Sequence, residues 1–378
     1  MDFGYPPAAE DFRAEFRAWL DANLPDDMRG HGGLNEADAA GLDRLRAWNR
    51  TLADAGYAAI AWPAEWGGRG AGVMEQVVYA EEMHRAQAPG AINVLGLSNI
   101  APAIIEHGTE EQQRTLLPRM LRGDDIWCQG FSEPDAGSDL ASLRTSAVQD
   151  GDTWTVNGQK TWNTFGHVAD WCELLVRTDP TVPKHRGITC LLVDMSLPGI
   201  EVRPLTTITG DAGFNDIFFT DVRVPVTSTL GPINEGWGVA LTTLAYERGG
   251  VAKLHLGTRA KIQRLIALAR EHGITEAQRE RVARVYMEGE LLKLISDRAI
   301  SAELHGRTMG AEGSIAKLQW SETEQHVSEL ATEILGADGL SGAWARDRVY
   351  GRSLTIAGGT TQVNKNIIAQ RILGLPRR

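Results

Sequence analysis

The sequence lacks several features that assign a protein to a chemical class at once. Its 378 residues include only three cysteines, Cys128, Cys172 and Cys190, and no Cys-x-x-Cys pair. This excludes a disulfide framework and a cysteine zinc site, and it is typical of a reducing compartment. The nine histidines never occur at His-x-x-x-His spacing, which argues against a zinc hydrolase. We therefore predict no metal site.

Long apolar runs and a surplus of basic residues are also missing. No apolar run approaches 18 residues, so no transmembrane helix is predicted. Residues 1–16 contain acidic residues and no apolar core segment, which predicts no signal peptide. The formal net charge of -11 argues against a partner with a phosphate backbone. We expect a cytoplasmic protein that binds neither a membrane nor a nucleic acid.

The phosphate-binding and nucleophile motifs of common enzymes are absent too. The sequence contains no Gly-x-Gly-x-x-Gly motif, no Walker loop and no Gly-x-Ser-x-Gly elbow. Strand-like and helix-like patterns do not alternate along the chain, which argues against a Rossmann dinucleotide-binding fold. Local motifs of these kinds therefore provide neither a nucleophile nor a nucleotide site.

Helical periodicity is what the first 120 or so residues do contain. Apolar residues recur at every third or fourth position behind Asp11, which predicts a helix with Asp11 as its N-cap. A second apolar stripe ends at Gly56. A third helix is predicted to begin at Thr109, where Gln112 completes a capping box, and Pro118 is expected to kink or restart it.

From about residue 125 the hydrophobic period changes to two. Asn157-Gly158 separates two strand-like runs and predicts a tight hairpin, and another turn is predicted at residues 149–152. Further runs rich in β-branched and aromatic residues predict strands at 171–178, 187–195, 200–206 and 214–224. Six or more short strands without intervening helices indicate a β-barrel or sandwich.

After residue 232 the helical period returns and continues almost to the end. Long helices are predicted over residues 236–256, 276–306 and 312–336, and a last one over 361–373. The predicted fold class is therefore α+β. We expect an N-terminal α-helical domain over residues 1–124, a middle β-barrel or sandwich domain over 125–232, and a C-terminal helical bundle over 233–378.

Four segments carry a family resemblance. Residues 127–139, Trp-Cys-Gln-Gly-Phe-Ser-Glu-Pro-Asp-Ala-Gly-Ser-Asp, resemble the flavin-binding signature of the acyl-CoA dehydrogenases, and residues 158–164 are similar to the second flavin segment of that family. Residues 244–248, Leu-Ala-Tyr-Glu-Arg, and 357–362, Ala-Gly-Gly-Thr-Thr-Gln, resemble two C-terminal motifs of the family. All four follow the family's order across nearly the whole chain, and the predicted order of α, β and α domains is that of the family fold.

The resemblance implies an FAD-dependent α,β-dehydrogenation of an acyl-CoA thioester, with electrons passed to an electron-transfer flavoprotein. It implies FAD contacts from both flavin segments and from the C-terminal region: Gln129, Phe131, Ser132, Ser138, Trp162, Asn163, Thr164, Gly336, Thr360 and Gln362. Ser138, Arg248 and Gly359 are expected to bind the substrate. Trp162 is expected at the exposed edge of the flavin ring.

The expected catalytic base departs from the pattern of most family members. These place a glutamate in a C-terminal Tyr-Glu-Gly-Thr motif, whereas residues 357–360 here are Ala-Gly-Gly-Thr and contain no carboxylate. In a second branch, typified by isovaleryl-CoA and long-chain acyl-CoA dehydrogenases, the base precedes a helical arginine, and that position is Glu247. The resemblance implies that Glu247 removes the α-proton and that the Gly358 amide polarises the thioester. The alternative is that Glu247 is an ordinary solvated carboxylate.

The family's means of holding the FAD diphosphate of a neighbouring subunit are altered here. No phenylalanine follows Phe219, so the Arg-x-x-Phe-Gly segment is missing. The Gln-x-x-Gly-Gly-x-Gly element begins with Glu333, which would place a negative charge near a diphosphate. Two interpretations stay open. One is a homo-oligomer, a dimer or tetramer, that holds FAD differently, and the other is a heterotetramer with a paralogous subunit, as in bacterial relatives acting on steroid or other bulky acyl-CoA side chains.

Two rival functions share the same fold. The first is a non-catalytic or incomplete subunit of an α2β2 complex, which would be colourless when expressed alone. The second is an oxidase or monooxygenase, which would form peroxide rapidly in air without an electron carrier. The position of the base and the flanking Gly249-Gly250 favour a branched or bulky acyl chain over a medium straight one.

Overall fold

The computed structural model describes residues 5–30, 39–249, 254–307 and 310–376. The helices in this part of the chain are α1 (Pro7–Asn23), α2 (Ala39–Asp54), α3 (Val73–Arg85), α4 (Ala101–His107), α5 (Glu110–Arg122), α6 (Gly236–Gly249), α7 (Leu254–His272), α8 (Glu276–Leu304), α9 (Gly313–Leu335), α10 (Gly342–Leu354) and α11 (Thr361–Ile367). The strands are β1 (Trp127–Gly130), β2 (Ser146–Asp150), β3 (Thr153–Thr164), β4 (Trp171–Arg177), β5 (Ile188–Asp194), β6 (Ile200–Leu205), β7 (Phe214–Pro225) and β8 (Thr229–Leu230). This order confirms the predicted α+β fold class.

Local capping signals explain where the first helices begin. α1 starts at Pro7 and not behind Asp11, because proline is favoured in the first turn of a helix. The capping box of α5 is confirmed, since the Gln112 amide donates to the Thr109 hydroxyl at 3.2 Å. The predicted restart at Pro118 is wrong, since α5 runs through this residue to Arg122. Burial of an apolar face on both sides of the proline offsets the lost hydrogen bond.

The predicted hairpin at Asn157-Gly158 is wrong. β3 continues through both residues, and the chain reverses at the second predicted turn, where Asp150 pairs with Thr153. Asn157-Gly158 instead marks a shift in the register of β3 against β7. Gly158 has a φ of +151°, and a Cβ there would lie 2.6 Å from the Cα of Thr145. Gly158 therefore permits a β-bulge and a close approach of the backbone, and it does not form a turn.

The eight strands form one hydrogen-bonded sheet in the order β6-β7-β3-β2-β4-β5-β8, with β1 parallel to β4. β2 and β4 share a single residue pair, Ser146 with Arg177, so the sheet is nearly divided there into two halves. Both halves contribute buried side chains to one apolar cluster, which includes Trp154, Val156, Leu174, Leu191 and Ile217. Two sheet halves around one core correspond to the predicted sandwich.

The C-terminal helices follow the predicted pattern with differences at their ends. The predicted helices over 276–306 and 312–336 are confirmed as α8 and α9, and the last one as α11 followed by a π-helical turn. Within the predicted 236–256 helix, residues 236–249 form α6 and residues 254–256 belong to α7, and residues 250–253 lie outside the described residues. We did not predict α7 as a separate helix, nor α10. Among the described residues, no helix combines the length and apolar character needed to cross a bilayer.

The chain forms two compact units. The helical unit comprises Met1–Ala14, Val73–His84 and Arg248–Arg378, and the sheet unit comprises Glu15–Gly72 and Arg85–Glu247. In the helical unit, buried residues of α7, α8 and α9 form one apolar cluster. In the sheet unit, α4, α5 and α6 pack with β1 and β5 through a core that includes Ile104, Leu117, Trp127, Leu192 and Val239. The boundaries predicted for three domains, 1–124, 125–232 and 233–378, stay a prediction.

Candidate active site

The two predicted flavin segments are neighbours in the sheet unit. The Thr161 amide donates to the Ser132 carbonyl at 2.9 Å, joining the loop after β1 to β3. The Asn163 side-chain amide donates to the Gln129 carbonyl. These bonds join stretches that lie about thirty residues apart in the sequence. Six of the predicted cofactor residues are thereby brought onto one part of the sheet: Gln129, Phe131, Ser132, Trp162, Asn163 and Thr164.

A buried ion pair holds the first segment against the second. The Lys160 Nζ lies 2.9 Å from the Glu133 Oε1 and donates to the Phe131 carbonyl at 3.0 Å. Glu133 also accepts hydrogen bonds from the main-chain amides of Arg144 and Thr145, at 2.7 and 2.8 Å. The glutamate therefore connects three stretches of the sheet unit. Sequence reasoning missed this pair, because β3 contains many polar residues and nothing in its sequence marks Lys160 as buried.

Burial shapes the charges of this pair. Desolvation lowers the pKa of Lys160 to about 8, although Glu133 favours its charged form. Burial also opposes ionisation of Glu133, but the Lys160 charge and the hydrogen bonds from Thr145 and Arg144 hold the pKa of that carboxyl below its usual value. The opposite charges therefore stabilise each other in a place where either one alone would be costly.

Trp162 has an unusual backbone conformation. Its φ is +61°, in the left-handed region that residues with a side chain rarely adopt, and its side chain is 61% exposed. The register of β3 against β7 shifts between Lys160 and Asn163, so Trp162 lies in an irregularity of the strand pairing. Its ring makes an edge contact with Phe214 at 5.9 Å. Backbone strain and strand irregularities concentrate at functional sites, which supports a role for this side chain.

Two buried polar atoms in this region fit a flavin ring. Within the described residues, the Asn163 Oδ1 has no hydrogen-bond partner. The Gln129 Nε2 meets no acceptor at hydrogen-bonding geometry either, although the Glu173 carboxyl lies nearby. A donor and an acceptor with unused capacity, beside the buried Phe131, match the mixed polar edge and apolar face of a flavin. The residues present therefore fit FAD.

Ser138 lies at the exposed end of the first segment. Glu133 and Ala136 exchange two main-chain hydrogen bonds of 3.1 Å, which closes a tight turn just before it. The next residue, Asp139, forms an ion pair of 2.6 Å with Lys184 from the loop between β4 and β5. Ser138 itself is exposed and is therefore accessible to a ligand, as its predicted role at the substrate requires.

Glu173 is a buried carboxyl that sequence reasoning missed. It is fully buried in β4, directly beside Gln129 of β1. Burial raises its pKa to about 8, against the opposing effects of the Thr243 hydroxyl and of the nearby Gln129 side-chain amide. Its Oε1 accepts a hydrogen bond of 2.7 Å from the Thr243 hydroxyl of α6, four residues before Glu247. This contact ties α6 to the sheet one helical turn from the candidate base.

The raised pKa of Glu173 predicts a specific pH dependence of stability. The folded pKa, about 8, lies above the ordinary value of 4.5, so the folded protein retains a proton that the unfolded chain releases. The free energy of unfolding should therefore be highest below the ordinary pKa and fall as the pH rises toward the folded one. The limiting slope is about 1.4 kcal/mol per pH unit. Urea unfolding of wild type and Glu173→Gln between about pH 5 and pH 8 measures this. The free energy of unfolding of the variant should rise relative to that of wild type as the pH increases. Parallel curves would contradict the assignment.

The candidate base lies only partly within the described structure. The main chain of Glu247 and Arg248 forms part of the last turn of α6. Their side chains lie outside the described residues, as do residues 250–253. The roles of Glu247 as base and Arg248 as a substrate contact therefore stay predictions.

The remaining predicted site residues belong to the helical unit. Gly358 and Gly359 have φ values of +63° and +91°, and Thr360 accepts a hydrogen bond from the Val363 amide at the start of α11. Gln362 is exposed in α11, and Gly336 ends α9 with a φ of +58°. The structure thus places these residues in a different unit from the two flavin segments.

The charge of Glu333 is balanced within the chain. Its carboxylate forms an ion pair with Arg281 and accepts a hydrogen bond from Gln278 at 3.3 Å. The hydrogen bond from Arg281 lowers the pKa of Glu333. The repulsion expected between Glu333 and a diphosphate is therefore weakened by a neighbouring cation.

Comparison with known proteins gives one consistent result. Three family models match the chain: acyl-CoA dehydrogenase, N-terminal domain, over residues 6–124; middle domain, over 128–222; and C-terminal domain, over 234–373. The chain is 39% identical to acyl-CoA dehydrogenase IpdE1 of Mycobacterium tuberculosis over 383 residues, covering 97% of this chain and 98% of that protein.

Solved structures agree with the family models. The ChsE4-ChsE5 complex from Mycobacterium tuberculosis is similar to this chain with a TM-score of 0.86 and 32% identity, covering 100% of both chains. The Tcur3481-Tcur3483 steroid ACAD is similar with a TM-score of 0.87 and 32% identity, again covering 100% of both chains. Together with the joined flavin segments, these matches show that the chain belongs to the acyl-CoA dehydrogenase family.

Proposed function

We propose that this acyl-CoA dehydrogenase uses FAD to convert an acyl-CoA thioester into its α,β-unsaturated product and passes the electrons to an electron-transfer flavoprotein. The observation that carries the proposal is the joining of the two flavin segments by the Thr161–Ser132 and Asn163–Gln129 hydrogen bonds. The strained, exposed Trp162 beside them supports an open ring edge from which electrons leave.

The family is FAD-dependent, and FAD when bound takes up the hydride from the β-carbon at its N5 atom. The chain would hold it with the side chains and main-chain groups of the two flavin segments, Ser138 among them. Gly336, Thr360 and Gln362 are proposed as further cofactor contacts. Phe131 supplies an apolar surface, and Gln129 and Asn163 supply the unused donor and acceptor.

The proton chemistry belongs to the chain's own residues. Glu247 is proposed to accept the α-proton of the thioester, which requires a carboxylate in a site that excludes water. The Gly358 amide is proposed to donate to the thioester carbonyl, because a main-chain N–H stabilises the enolate-like charge that develops there. Arg248, Gly359 and Ser138 are proposed to orient the substrate.

An anaerobic titration tests the proposal directly. The protein, purified alone or as a complex with a co-expressed partner subunit, should carry flavin, and a fitting acyl-CoA should bleach the oxidised flavin band in the absence of oxygen. A panel of straight, branched and steroid-side-chain acyl-CoAs would identify the preferred acyl group. Flavin that no acyl-CoA reduces would contradict the proposal, and rapid peroxide formation in air without an electron carrier would indicate an oxidase instead.

A second proposal concerns assembly. The ChsE4-ChsE5 complex and the Tcur3481-Tcur3483 steroid ACAD each carry two protein names, and both resemble this chain over its full length. The missing Arg-x-x-Phe-Gly segment supports a heterotetramer in which a paralogous subunit completes the diphosphate site. The chain can be co-expressed with a candidate paralogous subunit. The native mass of the purified complex, together with its ratio of flavin to chain, then distinguishes a heterotetramer from a homo-oligomer. A colourless chain that gains flavin only with its partner would support the heterotetramer.

A further inference from the structure

Lys317 is a buried lysine whose donors converge on main-chain carbonyls of the helical unit. It lies in α9 and is 7% exposed. Its Nζ donates to the Leu354 carbonyl at 2.9 Å and to the Gly359 carbonyl at 2.7 Å. Leu354 is the last residue of α10, where carbonyls lack helical partners and the helix dipole favours a cation. The ammonium therefore joins the end of α10 to the turn that carries the proposed carbonyl donor.

The turn itself is built from two glycines that need restraint. Gly358 and Gly359 both have left-handed φ values, +63° and +91°. A Cβ at Gly359 would lie 3.3 Å from the Asn364 Nδ2, so a side chain there is strained and crowded. Glycine pairs have more conformational freedom than any other pair, and their geometry depends on external contacts.

These contacts fix the turn on both sides of the Gly358 amide. Before it, the Ala357 amide donates to the Ser353 carbonyl at 2.9 Å. After it, the Gly359 carbonyl accepts from Lys317 and also from the Asn364 Nδ2, each at 2.7 Å. Among the residues that the structure describes, no acceptor is bonded to the Gly358 amide itself, and Gly358 is exposed. The Gly358 N–H is fixed by contacts on both sides and has no acceptor among these residues, so it is suited to donate to a ligand carbonyl.

We propose that Lys317 is a positioning residue for the reaction: it holds the Gly359 carbonyl so that the neighbouring Gly358 amide keeps the orientation that polarises the substrate thioester. The inference rests on the proposed role of Gly358. Lys317 acts through the turn and touches no reacting atom. Asn364 supports the same carbonyl from the other side.

The test compares the wild-type holoenzyme with the Lys317→Met variant. Methionine keeps the length of the side chain and removes its donors. Removing one donor from a carbonyl-stabilising site costs about 10²- to 10³-fold in kcat, so misplacing that donor should cost about 10- to 100-fold. The KM should change little, because the lost interaction is strongest in the transition state. Lys317→Arg, which retains donors, should recover part of the rate.

A vibrational measurement provides a readout that a merely structural role would not move. The carbonyl stretch of a ¹³C-labelled acyl-CoA without β-hydrogens, such as phenylacetyl-CoA, can be followed when it is bound, because this ligand cannot be dehydrogenated. A hydrogen bond from Gly358 lowers the stretching frequency, and Lys317→Met should move it back toward the value of free ligand. Lys261→Met is the matched control, because Lys261 is a partly buried lysine of the same unit that pairs with Glu324 and Asp347. It should leave the frequency unchanged.

The inference would be overturned if Lys317→Met had the wild-type carbonyl stretching frequency of the bound ligand and the wild-type kcat. If Lys317→Met does not fold, Asn364→Ala removes the other donor to the same carbonyl, and an unchanged frequency in that variant would overturn the inference as well. The proposed function fails separately, if wild type is not reduced by any acyl-CoA, since the frequency shift of the bound ligand does not depend on flavin reduction.

Discussion

Replacing Glu247 by glutamine is expected to slow anaerobic reduction of the flavin by an acyl-CoA about 10²- to 10⁴-fold, the range contributed by a positioned general base. Glutamine keeps the size of the side chain and cannot accept the α-proton. Binding of the acyl-CoA should persist, since the carboxylate is needed for proton removal and not for recognition. Stopped-flow absorbance of the oxidised flavin band measures the rate, and equilibrium perturbation of the flavin spectrum measures binding.

The matched control for this experiment is Glu235→Gln, an exposed glutamate just before α6 that has no proposed role. It should react at the wild-type rate. Equal rates for wild type and Glu247→Gln would show that the base lies elsewhere. In a heterotetramer, a carboxylate of the partner subunit would then be the base. Co-expression with a partner that lacks this carboxylate would reveal it as a loss of flavin reduction.

Replacing Lys160 by methionine is expected to lower the free energy of unfolding of the sheet unit by about 3–5 kcal/mol, the usual cost of removing one partner from a buried ion pair. The Glu133 carboxylate would be left buried without its cationic partner, while the hydrogen bonds from the Arg144 and Thr145 amides persist. The Phe131 carbonyl would also lose its bond to the lysine. The loop of the first flavin segment should loosen, and the protein should retain less flavin after gel filtration.

Two further variants separate the ion pair from a general effect of charge removal. Lys160→Met with Glu133→Leu removes both charges and should be more stable than Lys160→Met alone, because no unpaired charge stays buried. Lys184→Met disrupts the exposed pair with Asp139 and should lower the free energy of unfolding far less than Lys160→Met does, because solvent screens exposed ion pairs. Urea unfolding followed by tryptophan fluorescence gives these free energies. A double variant as unstable as the single one would show that the pair does not hold this loop.

Sequence reasoning succeeded where the information was local. The capping box at Thr109 uses two side chains three residues apart, and no distant contact is needed to form it. The period of two across the middle of the chain predicted β4, β5, β6 and β7 close to their observed limits, because alternation follows from one buried face of a strand. The four family motifs also read as short stretches, so the family could be recognised without coordinates.

Sequence reasoning failed where distant contacts overrode a local signal. Asn157-Gly158 is a strong turn signal, but β3 pairs with β7 along its whole length, and the glycine serves that pairing as a bulge. Pro118 is a helix breaker whose cost is offset by the buried face of α5. In both places tertiary packing contributes more than the local preference, and no window of sequence contains that information.

The sequence by itself determined the fold class and the family, because hydrophobic period and linear motifs are properties of consecutive residues; the assignment of Glu247 as base stays a prediction. Only the tertiary structure decided which polar residues are buried and what they bond to: Glu133 with Lys160, Glu173 with Thr243, and Lys317 with the Gly359 carbonyl. The physical reason is that the pKa of a carboxyl, and the direction in which a lysine donates, depend on groups distant in sequence that folding brings within about 3 Å.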